Sequence, residues 1–318
     1  MQMLHIPELG RDVSRLGMGS MIFSPERKEL VFELLDRFRE LGGNLIDSSE
    51  VYGGGKSEDA IGLYFAERGC RDEMVMLDKG CGECDRVDPE NIRRAIRGNL
   101  EHLQTDHIDL WVAHRDNPKL PVGDIVETLN EERAAGRIRA FGGSNWTRRR
   151  IAEANEYADK HGLMGMCLSS PNVCLAIPNE PWWADCTHAT DDDIAWHAKT
   201  GVPLFAWSSQ GRGFFLDDCS PENTANEALV RVYHSPENFE RLARARTLAA
   251  AKGRTAIEIA LAYVLNLPAP TVALVGPATV HEVESCVVAS DITLSQSEMD
   301  WLNLKLTHDE FRSTGAHP

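Results

Sequence analysis

Residues 44–79 read NLIDSSEVYGGGKSEDAIGLYFAERGCRDEMVMLDK, and the order of residue types in that stretch decides the fold. An apolar run over 44–48 gives way at Asp47 to polar residues, as a buried strand does where it surfaces. A turn through Gly53, Gly54 and Gly55 follows, then a helix-spaced segment over 57–66. A second apolar run over 74–79 again ends on a charge, Lys79. Strand, turn, helix and strand in succession form the βα repeat of a parallel sheet.

The alternation continues outward in both directions. Strand-like runs at 15–19, 107–114, 138–144, 166–170, 202–208 and 271–275 join the two already described and bring the number to eight, which closes a parallel barrel. Helical patterns lie at 27–41, 57–66, 89–103, 121–135, 147–161, 191–199, 236–252, 256–265, 280–289 and 295–306. In the first of them Leu30, Leu34 and Phe38 share one face, while Glu29, Glu33 and Arg37 fall on others. The expected architecture is α/β, a (β/α)8 TIM barrel forming one domain over residues 1–318. A hairpin within 1–13, turning at Gly10, closes its bottom. Two long connections, 171–190 and 210–235, leave the C-terminal ends of strands, the face on which such barrels build their active sites.

Composition narrows the function. The 318 residues are 42% hydrophobic and 26% charged, with a formal charge of -16, so a nucleic-acid partner, which demands clustered Lys and Arg, is excluded. Residues 1–10, with His5 and Glu8, lack the apolar core of a signal peptide. No run of about 18 apolar residues offers a membrane span, and a cytoplasmic location is expected. The 8 cysteines are too sparse for a disulfide scaffold. Cys81 and Cys84 form a lone CxxC with no second pair to complete a zinc site, and no metal is expected.

Asp47 closing a strand, with Tyr52 five residues later, is a modest signal alone. The segment LIDSSEVYGGGKSEDAIG (45–62), however, resembles the signature of the aldo-keto reductases, in which an Asp and a Tyr precede a Glu-bearing helix. That resemblance implies a Lys ending the third strand and a His ending the fourth, where Lys79 and His114 stand. GRIRAFGGSNW (136–146) and LFAWSSQGRGFF (204–215) extend the resemblance from about Arg15 to the region of Gly276.

The chemistry accounts for the set. Hydride arriving at a carbonyl carbon builds negative charge on its oxygen, which must then receive a proton or strong hydrogen bonds. Tyr52 is the expected proton donor. A phenol near pKa 10 is a reluctant acid, and the Lys79 ammonium is expected to lower that value. Asp47 supplies the counter-charge, and His114 donates to and orients the carbonyl oxygen. Singly, each has a plainer reading: Asp47 as a cap, Tyr52 as a half-buried aromatic, Lys79 as a surface side chain, His114 as a core imidazole. Their order and their strand-end positions favour catalysis.

The resemblance further implies a nicotinamide cofactor, NADPH by default with NADH also workable. Ser144 and Asn145 are expected at the carboxamide, with helix capping the alternative for Asn145. Trp207 is expected to stack on the nicotinamide ring, with a core role the alternative. Gly19, Ser20 and Met21 follow the first strand and line the same pocket, and Ser208, Gly211 and Arg212 are placed near the pyrophosphate. Where relatives carry a Gln, the chain reads Leu168-Ser169-Ser170-Pro171, and Ser169 is taken as the shorter substitute. At Gly276-Pro277-Ala278-Thr279, Ala278 stands in place of an Arg for the 2′-phosphate, leaving Thr279 and backbone N–H groups. Trp182, Trp183, Asp185 and His188 suit a small, hydroxylated or sugar-like carbonyl or alcohol substrate. The competing readings are a nicotinamide-binding redox-sensing or regulatory barrel with weak catalysis, and a thiol or metal protein centred on Cys81 and Cys84.

Overall fold

The computed structural model describes residues 1–315. β1 (Met3–Ile6) and β2 (Arg11–Ser14) pair antiparallel through a turn in which Gly10 takes φ 61°. Eight strands then close a parallel barrel: β3 (Leu16–Gly19), β4 (Leu45–Asp47), β5 (Val75–Gly80), β6 (Ile108–Ala113), β7 (Ile138–Ser144), β8 (Ser169–Ser170), β9 (Leu204–Ala206) and β10 (Thr271–Val275), with β10 returning to β3. Outside lie α1 (Lys28–Glu40), α2 (Lys56–Arg68), α3 (Pro89–Leu103), α4 (Val122–Ala134), α5 (Arg148–His161) and α6 (Asp191–Thr200). They are followed by α7 (Glu227–Tyr233), α8 (Pro236–Lys252), α9 (Ala256–Leu265), α10 (Val280–Ser290), α11 (Gln296–Leu302) and α12 (His308–Ser313).

Period-two alternation divides the buried residues into two cores. Leu45, Val75, Leu77, Leu110, Val112, Ala140, Leu168, Phe205, Val272 and Leu274 fill the lumen, and Ile6 and Val13 of the hairpin plug its bottom. Their neighbours along the strands, such as Ile46, Met76, Trp111 and Phe141, pack outward on the helices. Close strand approach constrains the lumen: a Cβ on Gly142 would lie 2.4 Å from the Leu168 carbonyl oxygen. Among the described residues no helix is long and apolar enough to cross a membrane.

Several strands are shorter than expected. The run at 166–170 contributes only Ser169–Ser170 as a strand, its first three residues being held to β7 by single bonds such as Cys167 N–H to the Phe141 carbonyl. The run at 202–208 is reduced to Leu204–Ala206, and Ser208 turns the chain at φ 53°. α7 and α12 were not expected. The helix expected at 295–306 stops at Leu302, where the chain turns through Leu304 at φ 62° before α12.

Candidate active site

Counting by twos along each strand brings Gly19, Asp47, Lys79, His114, Ser144, Ser170, Trp207 and Gly276 to the C-terminal mouth of the lumen, in phase with the apolar residues below them. Lys79 lies between Asp47 and Tyr52. Its Nζ donates to the Asp47 carboxylate and, at 2.8 Å, to the Ser48 carbonyl, and it sits 5.2 Å from the centre of the Tyr52 ring. Tyr52 is carried in by a one-turn helix over Tyr52–Gly55 in which Gly53 and Gly54 take φ 62° and 65°, a conformation that glycine reaches without strain. The His114 ring meets Tyr52 edge-on at 6.2 Å.

Ser49 anchors His114. Its hydroxyl lies 2.9 Å from Nδ1 and 3.4 Å from the Lys79 carbonyl. In the tautomer in which Ser49 donates to Nδ1, Nε2 carries the proton and serves as a donor. Burial, followed by the Lys79 and Arg115 charges, holds His114 well below the usual histidine range, so the ring is neutral at pH 7. Burial alone depresses Lys79, but Asp47 and Tyr52 outweigh it and keep the ammonium charged. The expected lowering at Tyr52 does not hold here. Burial pushes its phenol up, and the pull of Lys79 offsets only part of that.

The remaining expected contacts separate into two groups. Ser144 donates to the Ser170 carbonyl at 3.0 Å, and Asn145, at φ 61°, donates to the His114 carbonyl at 3.2 Å. Asn145 is not a helix cap; Thr147 caps α5. The lumen position on β8 falls to Ser170, while Ser169 turns outward, and the buried Ser170 hydroxyl has no partner. An open donor beside Ser144 and the Trp207 face suits the amide of a nicotinamide ring. Gly276 has open space at its Cβ position, and Gly19 runs so close to β10 that a Cβ there would be 3.0 Å from the Val275 oxygen.

Ser20 is engaged elsewhere, donating to the Asp47 carbonyl at 2.8 Å and accepting from Ser57 at 2.6 Å, so it braces the loop beneath the site. Met21 is 46% exposed. Ser208 and Gly211 form the turn after β9, whereas the Arg212 guanidinium lies over Trp182 and Trp183 at 4.8 and 5.2 Å. That packs Arg212 against the long loop after β8. Thr279 caps α10, accepting from the Glu282 N–H at 3.2 Å. Ser49, Ser170, Asn172 and Thr187 carry no signal in the sequence reading; Ser170 is placed by its register with Ser144.

The CxxC does not assemble a centre. Cys81 is buried, its thiol pushed up by burial, and Cys84 is pushed up to about 11 by burial and Asp185. Among the described residues no three His, Cys, Asp or Glu side chains converge as for a metal.

A barrel whose upper mouth joins a buried Lys–Asp pair, a tyrosine and a neutral histidine is that of a barrel oxidoreductase. Residues 15–305 match the aldo/keto reductase family, and the chain belongs to it. It is 30% identical to norsolorinic acid reductase stcV of Emericella nidulans, over 92% of this chain and 78% of that protein. It is 26% identical to the uncharacterized oxidoreductase YrpG of Bacillus subtilis, over 95% of each. Among solved structures, an aldo-keto reductase from Klebsiella pneumoniae in complex with NADPH shares the fold at TM-score 0.72 and 22% identity, covering 93% of this chain and 92% of that one.

Proposed function

We propose that this protein reduces an aldehyde or ketone to an alcohol, and runs the reverse oxidation, with NADPH as cofactor and NADH also accepted. The observation that carries the reading is the buried Lys79–Asp47 pair set 5.2 Å beneath the Tyr52 ring, with His114 beside it. The Emericella relative is named a reductase and the Klebsiella structure holds NADPH, which supports the same assignment.

A nicotinamide held there would be the source of hydride for the carbonyl carbon. Tyr52 gives its phenolic proton to the carbonyl oxygen, and the Lys79 ammonium stabilises the phenolate left behind. Asp47 holds Lys79 in position and balances its charge. His114 donates from Nε2 to the same oxygen and orients it. Ser144, Asn145, Ser170 and Trp207 would hold the nicotinamide end, while Ser208, Gly211, Gly276, Thr279, Gly19 and Met21 would line the phosphate end. Arg212 is assigned to the substrate side. The substrate is a small, oxygen-bearing carbonyl compound, sugar-like compounds included. Residues 1–318 act as one catalytic unit, in the cytoplasm.

The test is a screen of aldehydes, ketones and oxidised sugars with each reduced nicotinamide, read by loss of cofactor absorbance. Turnover that vanishes in Tyr52→Phe supports the assignment. Tight nicotinamide binding without turnover of any compound would instead favour a redox sensor.

A further inference from the structure

The loop 171–190 encloses a cavity of about 180 Å³ beside Trp207, lined by Asn172, Trp182, Thr187 and His188 among others. Its wall is held in place by main-chain bonds. Asn172 N donates to the Thr187 carbonyl at 2.9 Å, Ala189 N donates to the Asn172 carbonyl at 3.0 Å, and the Asn172 amide donates to the Trp207 carbonyl at 3.1 Å. The cavity is therefore preformed, and a ligand need not order the loop to enter it.

Three residues of the lining carry buried donors without a partner: the Trp182 and Trp207 indole N–H groups and the Thr187 hydroxyl. An unsatisfied buried donor costs about 1–3 kcal/mol, which a ligand acceptor recovers. With its amide given to Trp207, Asn172 presents Oδ1 to His188 Nδ1 at 3.1 Å, so Nδ1 carries the proton and Nε2 is left as an acceptor. Burial lowers His188 to about 4, and the ring is neutral at pH 7. The one charged side chain on the lining, Glu180, is paired with Arg231. Indole rings of Trp182 and Trp207, three unpartnered donors and no unpaired charge on the lining itself, with the Arg212 guanidinium covering Trp182 from one side, describe a receptor for a flat, uncharged, oxygen-bearing ring.

We propose that this cavity is a subsite for a neutral ring carrying two or more oxygens, either a hydroxylated aromatic or a cyclic sugar, attached to the carbonyl that Tyr52 reduces. The inference rests on the reductase reading for its link to catalysis but not for binding. Catechol and methyl β-xyloside represent the two ring types, and toluene is the control without oxygens. Titration of the tryptophan fluorescence measures all three without turnover.

Saturable binding of catechol or the xyloside, tighter than toluene, is expected, and the tighter of the two identifies the ring type. Thr187→Val, which keeps the main-chain bonds of Thr187, should weaken the oxygenated ring about fivefold more than toluene, the loss of one hydrogen bond of about 1 kcal/mol. Thr187→Ser should restore it. Equal weakening of all three probes, or oxygenated rings bound no better than toluene, overturns the subsite. If rings bind as expected but no carbonyl is reduced, the reductase reading fails and the subsite stands; if carbonyls are reduced and rings do not bind, only the subsite fails.

Discussion

Both ends of the barrel bury a carboxylate among cations, and they satisfy it differently. At the N-terminal end Asp109 Oδ2 accepts from the Met76 N–H and is paired with Arg71, each at 2.9 Å, while Oδ1 has no hydrogen-bond partner and faces Arg139, Arg11 and His107 at 3.7, 3.9 and 4.0 Å. At the C-terminal end Asp47 has a single cation, Lys79, and the buried Ser170 hydroxyl nearby has no partner. The bottom also carries the wider depression, about 710 Å³ beside His107 and Arg139, against about 180 Å³ at the loop cavity. Size does not mark the working end. The bottom carboxylate is ringed by several cations, whereas the top one has a single cation and polar groups beside it that a ligand can use.

The largest expected effect breaks the top end alone. Tyr52→Phe should lower kcat/KM by about 10²–10⁴-fold, the usual worth of a general acid, with cofactor affinity within about twofold and an unchanged melting temperature. Near-normal turnover would remove Tyr52 from the mechanism. The reciprocal change at the bottom, Asp109→Asn, leaves Arg71 facing no charge. We expect a stability loss of about 3 kcal/mol by urea denaturation, with the folded enzyme's kcat retained. A loss of activity at unchanged stability would show that the two ends do not divide their work in this way.

A pH experiment sharpens the same contrast. His114 has a depressed folded-state pKa, so below about pH 6.5 the unfolded chain binds a proton that the folded chain refuses. Its contribution is present above the unfolded value and is lost as pH falls towards the folded one, with a slope approaching 1.4 kcal/mol per pH unit per proton. His114→Gln should flatten the stability–pH curve on that acid side by up to that amount. His188, lowered to about 4, supplies a similar slope that the variant retains. An unchanged curve would mean that His114 is charged in the folded protein.

The parts legible in the sequence were those with a local cause. Asp47, Lys79 and His114 each end an apolar run, so their place at the mouth follows from strand periodicity. Between Ser169 and Ser170 the sequence offers no phase, since Cys167 and Leu168 both join the lumen core; it is the register of Ser170 with Ser144 that puts Ser170 at the mouth. What escaped depends on distance. Arg212 looked like a phosphate ligand because its loop is glycine-rich; its place over Trp182 and Trp183 depends on how two loops some 30 residues apart pack together. The upward shift of Tyr52 likewise comes from burial, which residue order does not reveal.

The smallest expected effect concerns the cofactor's 2′-phosphate. At the start of α10 the Glu282 carboxylate accepts the Ala278 N–H at 2.7 Å, and the Thr279 hydroxyl accepts the Glu282 N–H at 3.2 Å. The positive end of the helix is thus already occupied by the chain's own carboxylate, with no arginine at 278 to hold a phosphate in a planar grip. A phosphate brought there would meet Glu282, and distant charges beyond about 8–10 Å are too screened at physiological salt to alter the balance. NADH should therefore support measurable turnover, with the preference for NADPH below about a hundredfold, or roughly 2.7 kcal/mol. Ala278→Arg and Glu282→Gln should each raise the NADPH-to-NADH ratio of kcat/KM, the first by about tenfold and the second by about fivefold. Steady-state kinetics with both cofactors decide the matter: a wild-type preference for NADPH well above a hundredfold would show that main-chain N–H groups bind the phosphate despite Glu282.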